Sequence, residues 1–200
     1  MITRIAILLG ALFATSLASA RVAVNEPAPD FTLTSSTSET ISLSQYKGKM
    51  VILEWTNHLC PYVQKHYDSG NMQKLQKQYT DEGVVWLSII SSATGKQGYV
   101  TAAEANSLTE NRNASPNYVL FDTDGKVGKA YGAQTTPHMY VIDKDGVLRY
   151  QGAIDSIKSA NQADIVKAEN YLTSAMQSLA KGEVVKRPVT APYGCSVKYE

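Results

Sequence analysis

Apolar and polar residues alternate over Phe31-Thr32-Leu33 and again over Thr40-Ile41-Ser42-Leu43, the period of a half-buried β-hairpin. Gly48-Lys49 then turns the chain into an apolar strand over residues 50–55. A helix is expected from Pro61. The Asp68-Ser69-Gly70-Asn71 cluster interrupts it, and Met72, Leu75 and Tyr79 resume helical spacing up to Glu82-Gly83. Residues 84–90 are almost continuously apolar and read as a buried strand. The stretch from Ser91 to Pro116 is longer than an ordinary loop. Within it, Thr101 followed three residues on by Glu104 predicts a capping box and a short inserted helix over residues 101–110.

Further on, Tyr118-Val119-Leu120-Phe121 predicts a strand and Asp122-Thr123-Asp124-Gly125 a turn. A short helix over residues 126–131 is stopped by Gly132. Strands over residues 138–142 and 147–150 are joined by Asp143-Lys144-Asp145-Gly146, a hairpin turn containing Asp-Gly. A last helix is expected over about residues 163–180, with Ile165, Ala168, Leu172, Ala175 and Leu179 on one face. Residues 181–200 carry two prolines and no clear period. Alternating β and α elements, followed by a closing hairpin, predict an α/β fold with a central mixed sheet and helices on both faces.

The first 20 residues have a separate explanation. Arg4, an apolar run over residues 5–17 and Ala18-Ser19-Ala20 have the layout of a secretory signal peptide with its cleavage site. The run is short for a membrane anchor. The expected organisation is therefore a leader over 1–20, one domain over 21–181 and a tail over 182–200. The mature chain is expected to be exported, to the periplasm, with no membrane association of its own. Without Arg4 it carries equal numbers of acidic and basic residues, which argues against nucleic acid as a partner. Export also matters for its two cysteines, Cys60 and Cys195, because disulfides persist outside the cytoplasm.

Cys60 carries the strongest chemical signal. The strand ends at Trp55, a polar turn Thr56-Asn57-His58-Leu59 follows, and Cys60-Pro61 opens the next helix. Proline suits the first helical position because its missing N–H would have no partner there. A cysteine at a helix N-terminus is favoured as thiolate, the nucleophilic form, by the unpaired N–H groups and the helix dipole. His58 is placed to stabilise that thiolate when protonated, or to accept its proton when neutral; otherwise it is a surface turn histidine. Lys65 and His66 are expected on the exposed face of the helix.

The motif order resembles the thioredoxin-fold redoxin group, which includes peroxiredoxin-like proteins and periplasmic thiol-disulfide oxidoreductases. Pro27-Ala28-Pro29-Asp30-Phe31 is similar to the P-x-P-D-F entry of redoxins, and residues 51–63 to their strand–cysteine–helix segment. Thr136-Pro137 resembles the cis-proline loop. Asp143–Gly146 with Tyr150-Gln151-Gly152 resembles the closing hairpin. Two departures stand out. Val63 occupies the place of the second cysteine of C-x-x-C, and Leu53 and Asn57 replace the proline and hydroxyl residue that precede a peroxidatic cysteine. Asn57-His58-Leu59-Cys60-Pro61-Tyr62-Val63 is closest to a peroxiredoxin-like branch with an N-H-C-P-Y-V type motif.

The resemblance implies a thiol-based oxidoreductase with Cys60 as nucleophile toward a disulfide or a peroxide. Substrate contacts fall to Thr136, Pro137, Trp55 and Pro61, Trp55 being either core or a wall of the site. Glu54 corresponds to the buried carboxylate beneath the cysteine, a candidate proton relay, unless it is a solvent-side glutamate. Cys195 is the only possible internal resolving thiol; a permanent Cys60–Cys195 staple and two unpaired thiols are the alternatives. The expected partners are a protein or small-molecule thiol, disulfide or peroxide and an external thiol reductant, with no organic cofactor and no metal. The rival reading is a non-catalytic binding protein for polypeptide or copper with a static bridge; Cys60, His58, His138 and Cys195 are ligand types suited to a metal.

Overall fold

The computed structural model describes residues 21–200; the leader expected over 1–20 lies outside the described residues. Strands β1 (Thr32–Ser35) and β2 (Thr40–Ser42) form the expected hairpin, followed by β3 (Val51–Trp55), α1 (Pro61–Asp68), α2 (Asn71–Asp81) and β4 (Val85–Ile90). Then come α3 (Ala102–Asn111), β5 (Tyr118–Phe121), α4 (Lys126–Tyr131), β6 (Thr135–Thr136), β7 (His138–Ile142), β8 (Leu148–Gly152), α5 (Tyr171–Ala180) and β9 (Cys195–Ser196). The main sheet runs β2-β1-β5-β4-β3-β7-β8. The β3/β4 and β4/β5 pairs are parallel and the others antiparallel, so the sheet is mixed, with β3 an interior strand between β4 and β7.

Period-two alternation along β3 sorts its side chains between two cores. Ile52 packs with Trp86, Met139 and Val141 under α1, α2 and α5. Val51, Leu53 and Trp55 face the other way, with Leu87, Tyr140 and Tyr131 of α4. The capping box on α3 is present as expected: Thr101 accepts from the Glu104 N–H, and Glu104 accepts from the Thr101 N–H at 2.7 Å.

Three expectations need correction. The last helix is broken. A 3-10 helix spans Gln162–Lys167, and α5 starts afresh at Tyr171 because the Asn170 side chain caps it by accepting from the Thr173 N–H. Leu172 and Ala175 are buried as the periodicity required, whereas Ala168 is only half-buried. Secondly, Lys65 and His66 are not on an exposed face; both are buried. A second layer, formed by residues 153–157 and the tail, covers that side of α1, and the Asp155 carboxylate meets the Lys65 ammonium at 3.0 Å. A buried lysine is tolerable only with such a partner. Thirdly, the aperiodic tail is bonded along its length. Thr190 N–H donates to Gln151 O, Val197 N–H donates to Gln134 O at 3.0 Å, and Lys198 O accepts from Ala93 N–H at 2.9 Å.

The break in the last helix has a measurable consequence. Leu172→Ala is expected to destabilise the protein by about 3 kcal/mol in urea unfolding, the cost of emptying a packed leucine site. Ile165→Ala, outside α5 and only half-buried, is expected to cost less than about 1 kcal/mol. Similar losses at both positions would restore the continuous helix.

Candidate functional site

β3 delivers the chain to the turn 56–59, and Asn57 holds that turn. Asn57 is buried; its carbonyl oxygen accepts from the Cys60 N–H at 3.0 Å and its side-chain oxygen from the Leu59 N–H at 2.9 Å. Cys60 is the N-cap of α1, with Pro61 at the first helical position. The cysteine is fully buried, with 0% of its surface exposed, so it is covered rather than displayed.

What covers it is the far end of the chain. The Thr136-Pro137 peptide bond is cis, and Thr136 and Pro137 are both buried. Thr136 pairs antiparallel with Cys195, and Thr135 with Ser196. The Cys60 Sγ donates to the Thr136 carbonyl oxygen at 3.1 Å, and the Cys195 N–H donates to the Cys60 Sγ at 3.4 Å. Cys60 and Cys195 are thus brought together as two unbridged thiols, Cys60 sealed and Cys195 half-buried. Gly194 makes the approach possible. Its φ is +138°, and a Cβ there would collide with the Thr136 carbonyl oxygen.

The electrostatics divide the two thiols. Burial pushes the Cys60 thiol up, but the Cys195 thiol, the Thr136 side chain and the N–H groups of Cys195 and Val63 outweigh it, so its pKa falls below the ordinary value. Burial and the neighbouring Cys60 push the Cys195 thiol up to about 11. The two thiols are therefore shifted in opposite directions, Cys60 becoming the more acidic and Cys195 the less. The Thr136 hydroxyl is buried without a hydrogen-bond partner of its own.

The other expected site residues are distributed around this pair. His58 is half-buried and turns toward α3, lining a small cavity with Tyr67, Ser88 and Arg112. Burial and the Arg112 cation lower its pKa against the opposing pull of Glu104, and its side chain makes no hydrogen bond to Cys60. Its carbonyl oxygen accepts from Gln64 Nε2 at 3.1 Å and from the Arg112 guanidinium at 3.2 Å, which ties α3 to the turn.

Glu54 is fully buried, not on a solvent side. It accepts from Tyr67 Oη, Gln76 Nε2, Trp86 Nε1 and Ser88 Oγ at 2.9–3.3 Å, and none of these bonds leads to Cys60. Burial raises its pKa against those four donors. Trp55 belongs to the opposite core, between Tyr131 and Tyr140, and its Nε1 donates to Ser91 Oγ at 2.9 Å. Pro61 is exposed. His138 is buried beside Tyr140, and its pKa is lowered to about 3 by burial. Among the described residues, His58, His138, Cys60 and Cys195 form no group able to hold a metal ion.

One contributor escaped the sequence reading: Tyr193 packs into the covering layer two residues before Cys195. Thr136, expected for its backbone, also brings its hydroxyl near the thiol. The Tyr-Gly step ahead of Cys195 was the only available signal. The opposite shifts of the two thiols lead to a direct test. The ultraviolet thiolate absorbance of the reduced protein is expected to titrate for Cys60 below an unperturbed cysteine, and Cys195→Ala is expected to move that midpoint upward. An unchanged midpoint in Cys195→Ala would separate the two thiols electrostatically.

Comparison with known proteins agrees with this architecture. The chain is 31% identical over 125 residues to the thioredoxin-like protein YneN of Bacillus subtilis (strain 168), covering 62% of this chain and 68% of the relative. It is 27% identical over 126 residues to the thiol-disulfide oxidoreductase ResA of Bacillus thuringiensis subsp. konkukian (strain 97-27), covering 63% and 67%. Among solved structures, an uncharacterized conserved protein from Geobacillus kaustophilus matches with a TM-score of 0.78 at 23% identity, over 89% of this chain and 93% of that one. The exposed lipoprotein thioredoxin Etrx1 of Streptococcus pneumoniae strain TIGR4 shares the fold with a TM-score of 0.52 at 23% identity, over 74% and 99%. The Redoxin family model matches residues 23–171, so the chain belongs to the Redoxin family and has a thioredoxin-like fold.

Proposed function

We propose that this chain is an exported thiol-disulfide oxidoreductase in which Cys60 is the nucleophile and Cys195 the resolving thiol. The observation that carries this reading is the pairing of Thr136 with Cys195, which sets the Cys195 N–H 3.4 Å from the Cys60 sulfur. The family membership and the relatives' thiol-disulfide chemistry support it. So does the leader-like sequence of residues 1–20, which would place the protein where disulfides persist.

The Cys60 thiolate attacks one sulfur of a substrate disulfide R–S–S–R′. A Cys60–S–S–R bond forms, and R′–S⁻ leaves and takes a proton. Cys195 then gives up its proton and attacks the Cys60 sulfur. A Cys60–Cys195 disulfide forms and R–S⁻ leaves, so the substrate is reduced by two electrons and the protein oxidised by two. An external thiol reductant returns both cysteines to the thiol state. Toward a peroxide R–O–OH, the same thiolate would take the terminal oxygen as the O–O bond breaks, leaving a Cys60 sulfenic acid and R–O⁻, which takes a proton; Cys195 would then attack that sulfur, forming the Cys60–Cys195 disulfide and releasing water. The disulfide reaction is favoured because Asn57 stands where a peroxide-orienting hydroxyl is expected.

Thr136 and Pro137 form the contact surface beside the thiol, and Pro61 supports the helix start. The tail occupies the Thr135–Thr136 edge, so a polypeptide substrate pairing there must displace residues 195–196.

The test is a redox titration of the mature protein, with thiols counted by alkylation and mass at each potential. A reversible Cys60–Cys195 couple reducible by mild thiols is expected. Cys60→Ser is expected to reduce small disulfides only at the uncatalysed rate, and Cys195→Ser to accumulate a mixed disulfide on Cys60 after one turnover. Two thiols that never pair would remove the resolving role of Cys195. A bridge resistant to strong reductants would make it a static staple.

A further inference from the structure

The buried groups around Lys65 have no part in the exchange chemistry, yet they lie under the segment that carries Cys195. Tyr193 is 5% exposed, and its hydroxyl donates to Asp155 Oδ1. The other oxygen of Asp155 accepts from Lys65 Nζ at 3.0 Å, and Lys65 also donates to Ile157 O at 3.3 Å. The ammonium lies 5.7 Å from the centre of the Tyr193 ring, and Tyr62 meets that ring edge-on at 5.7 Å. His66 approaches Asp155 at 3.6 Å, with its other ring nitrogen 2.8 Å from Asn71 Nδ2.

Both ends of this arrangement are tied to the two thiols. Lys65 and Tyr62 stand on α1, the helix that begins at Cys60. Tyr193 is separated from Cys195 only by Gly194, whose backbone is pressed against the Thr136 carbonyl. A phenol on a buried, charged acceptor makes a strong hydrogen bond. It fixes the tail relative to α1 by a contact outside the reacting atoms. Val197 and Lys198 anchor the chain beyond Cys195, and Tyr193 supplies the side-chain anchor just before it.

We propose that Tyr193, seated on the buried Asp155–Lys65 pair, is a positioning residue that holds Cys195 in register against Cys60. The proposal rests on the resolving role assigned to Cys195 above. Tyr193 transfers no proton or electron; it raises the fraction of time in which the second sulfur stands where it can attack.

Tyr193→Phe tests this in the full mature chain, since it removes the hydroxyl and keeps the ring against Tyr62. The rate of Cys60–Cys195 pairing after one equivalent of diamide is expected to fall about tenfold, the loss of one buried hydrogen bond to a charged acceptor. The reduction potential of the couple is expected to become less negative, because the docked tail no longer favours the bridge. The thiolate absorbance midpoint of Cys60 is expected to rise, in the same direction as expected for Cys195→Ala. A purely structural role would lower Tm without moving these three. Wild-type pairing rate, potential and midpoint in Tyr193→Phe would overturn the proposal.

Amide hydrogen exchange on the reduced wild type gives a second measurement that needs no variant. Protection of the Cys195 and Val197 N–H groups is expected, and exchange at random-coil rates would overturn the latch. Failure of the wild type to form a Cys60–Cys195 bond would instead remove the resolving role itself, while the exchange data still judge whether the tail is held.

Discussion

The Cys60 sulfur lies where three segments far apart in sequence converge, and its hydrogen bonds set the character of the whole site. Burial by itself opposes a thiolate, because a charge removed from water loses its hydration. The groups gathered by the fold reverse that balance: the Cys195 thiol and N–H, the nearby Thr136 side chain and the helix N-terminus at Val63. If the turn at Asn57, the loop at Thr136 or the tail at Cys195 moved, the sulfur would lose hydrogen-bonding neighbours that offset its burial. The mixed sheet positions the first two. β3 and β7 are antiparallel neighbours, so the end of β3 that leads to Cys60 lies beside the start of β7, where Pro137 leads in.

Two buried polar clusters hold the surrounding elements, and they differ in kind. Glu54 on β3 gathers donors from α1, α2 and β4, pinning both helices to the sheet without a cationic partner. Such a group is acceptable in a core only when its oxygens are well supplied with hydrogen bonds. Asp155 is paired with a buried lysine and lies under the tail. The first cluster steadies the scaffold beneath Cys60, and the second fastens the covering layer to the helix that Cys60 caps.

Much of the fold was legible because its signals are local. Alternation marked the β1–β2 hairpin, the Thr101–Glu104 box marked α3, and the Asp-Gly turn marked the closing hairpin. The helix break was harder to see. Ile165 and Ala168 continue the apolar period of α5, and only the Asn170 cap, a tertiary choice among competing polar groups, interrupts it. Lys65 and His66 were placed outside because charge usually means solvent. Their burial depends on Asp155, which is distant in sequence.

By itself, the sequence determined the order of elements, a cysteine at a helix start and the proline loop that belongs with it. These follow from backbone preferences and periodicity, which each short segment expresses on its own. Tertiary structure alone decided that the tail returns to that cysteine, that His58 and Trp55 turn away from it, and that the pKa values of the two thiols are shifted apart. Those outcomes depend on which distant groups share a low-dielectric space, and no local pattern in the chain encodes that sharing.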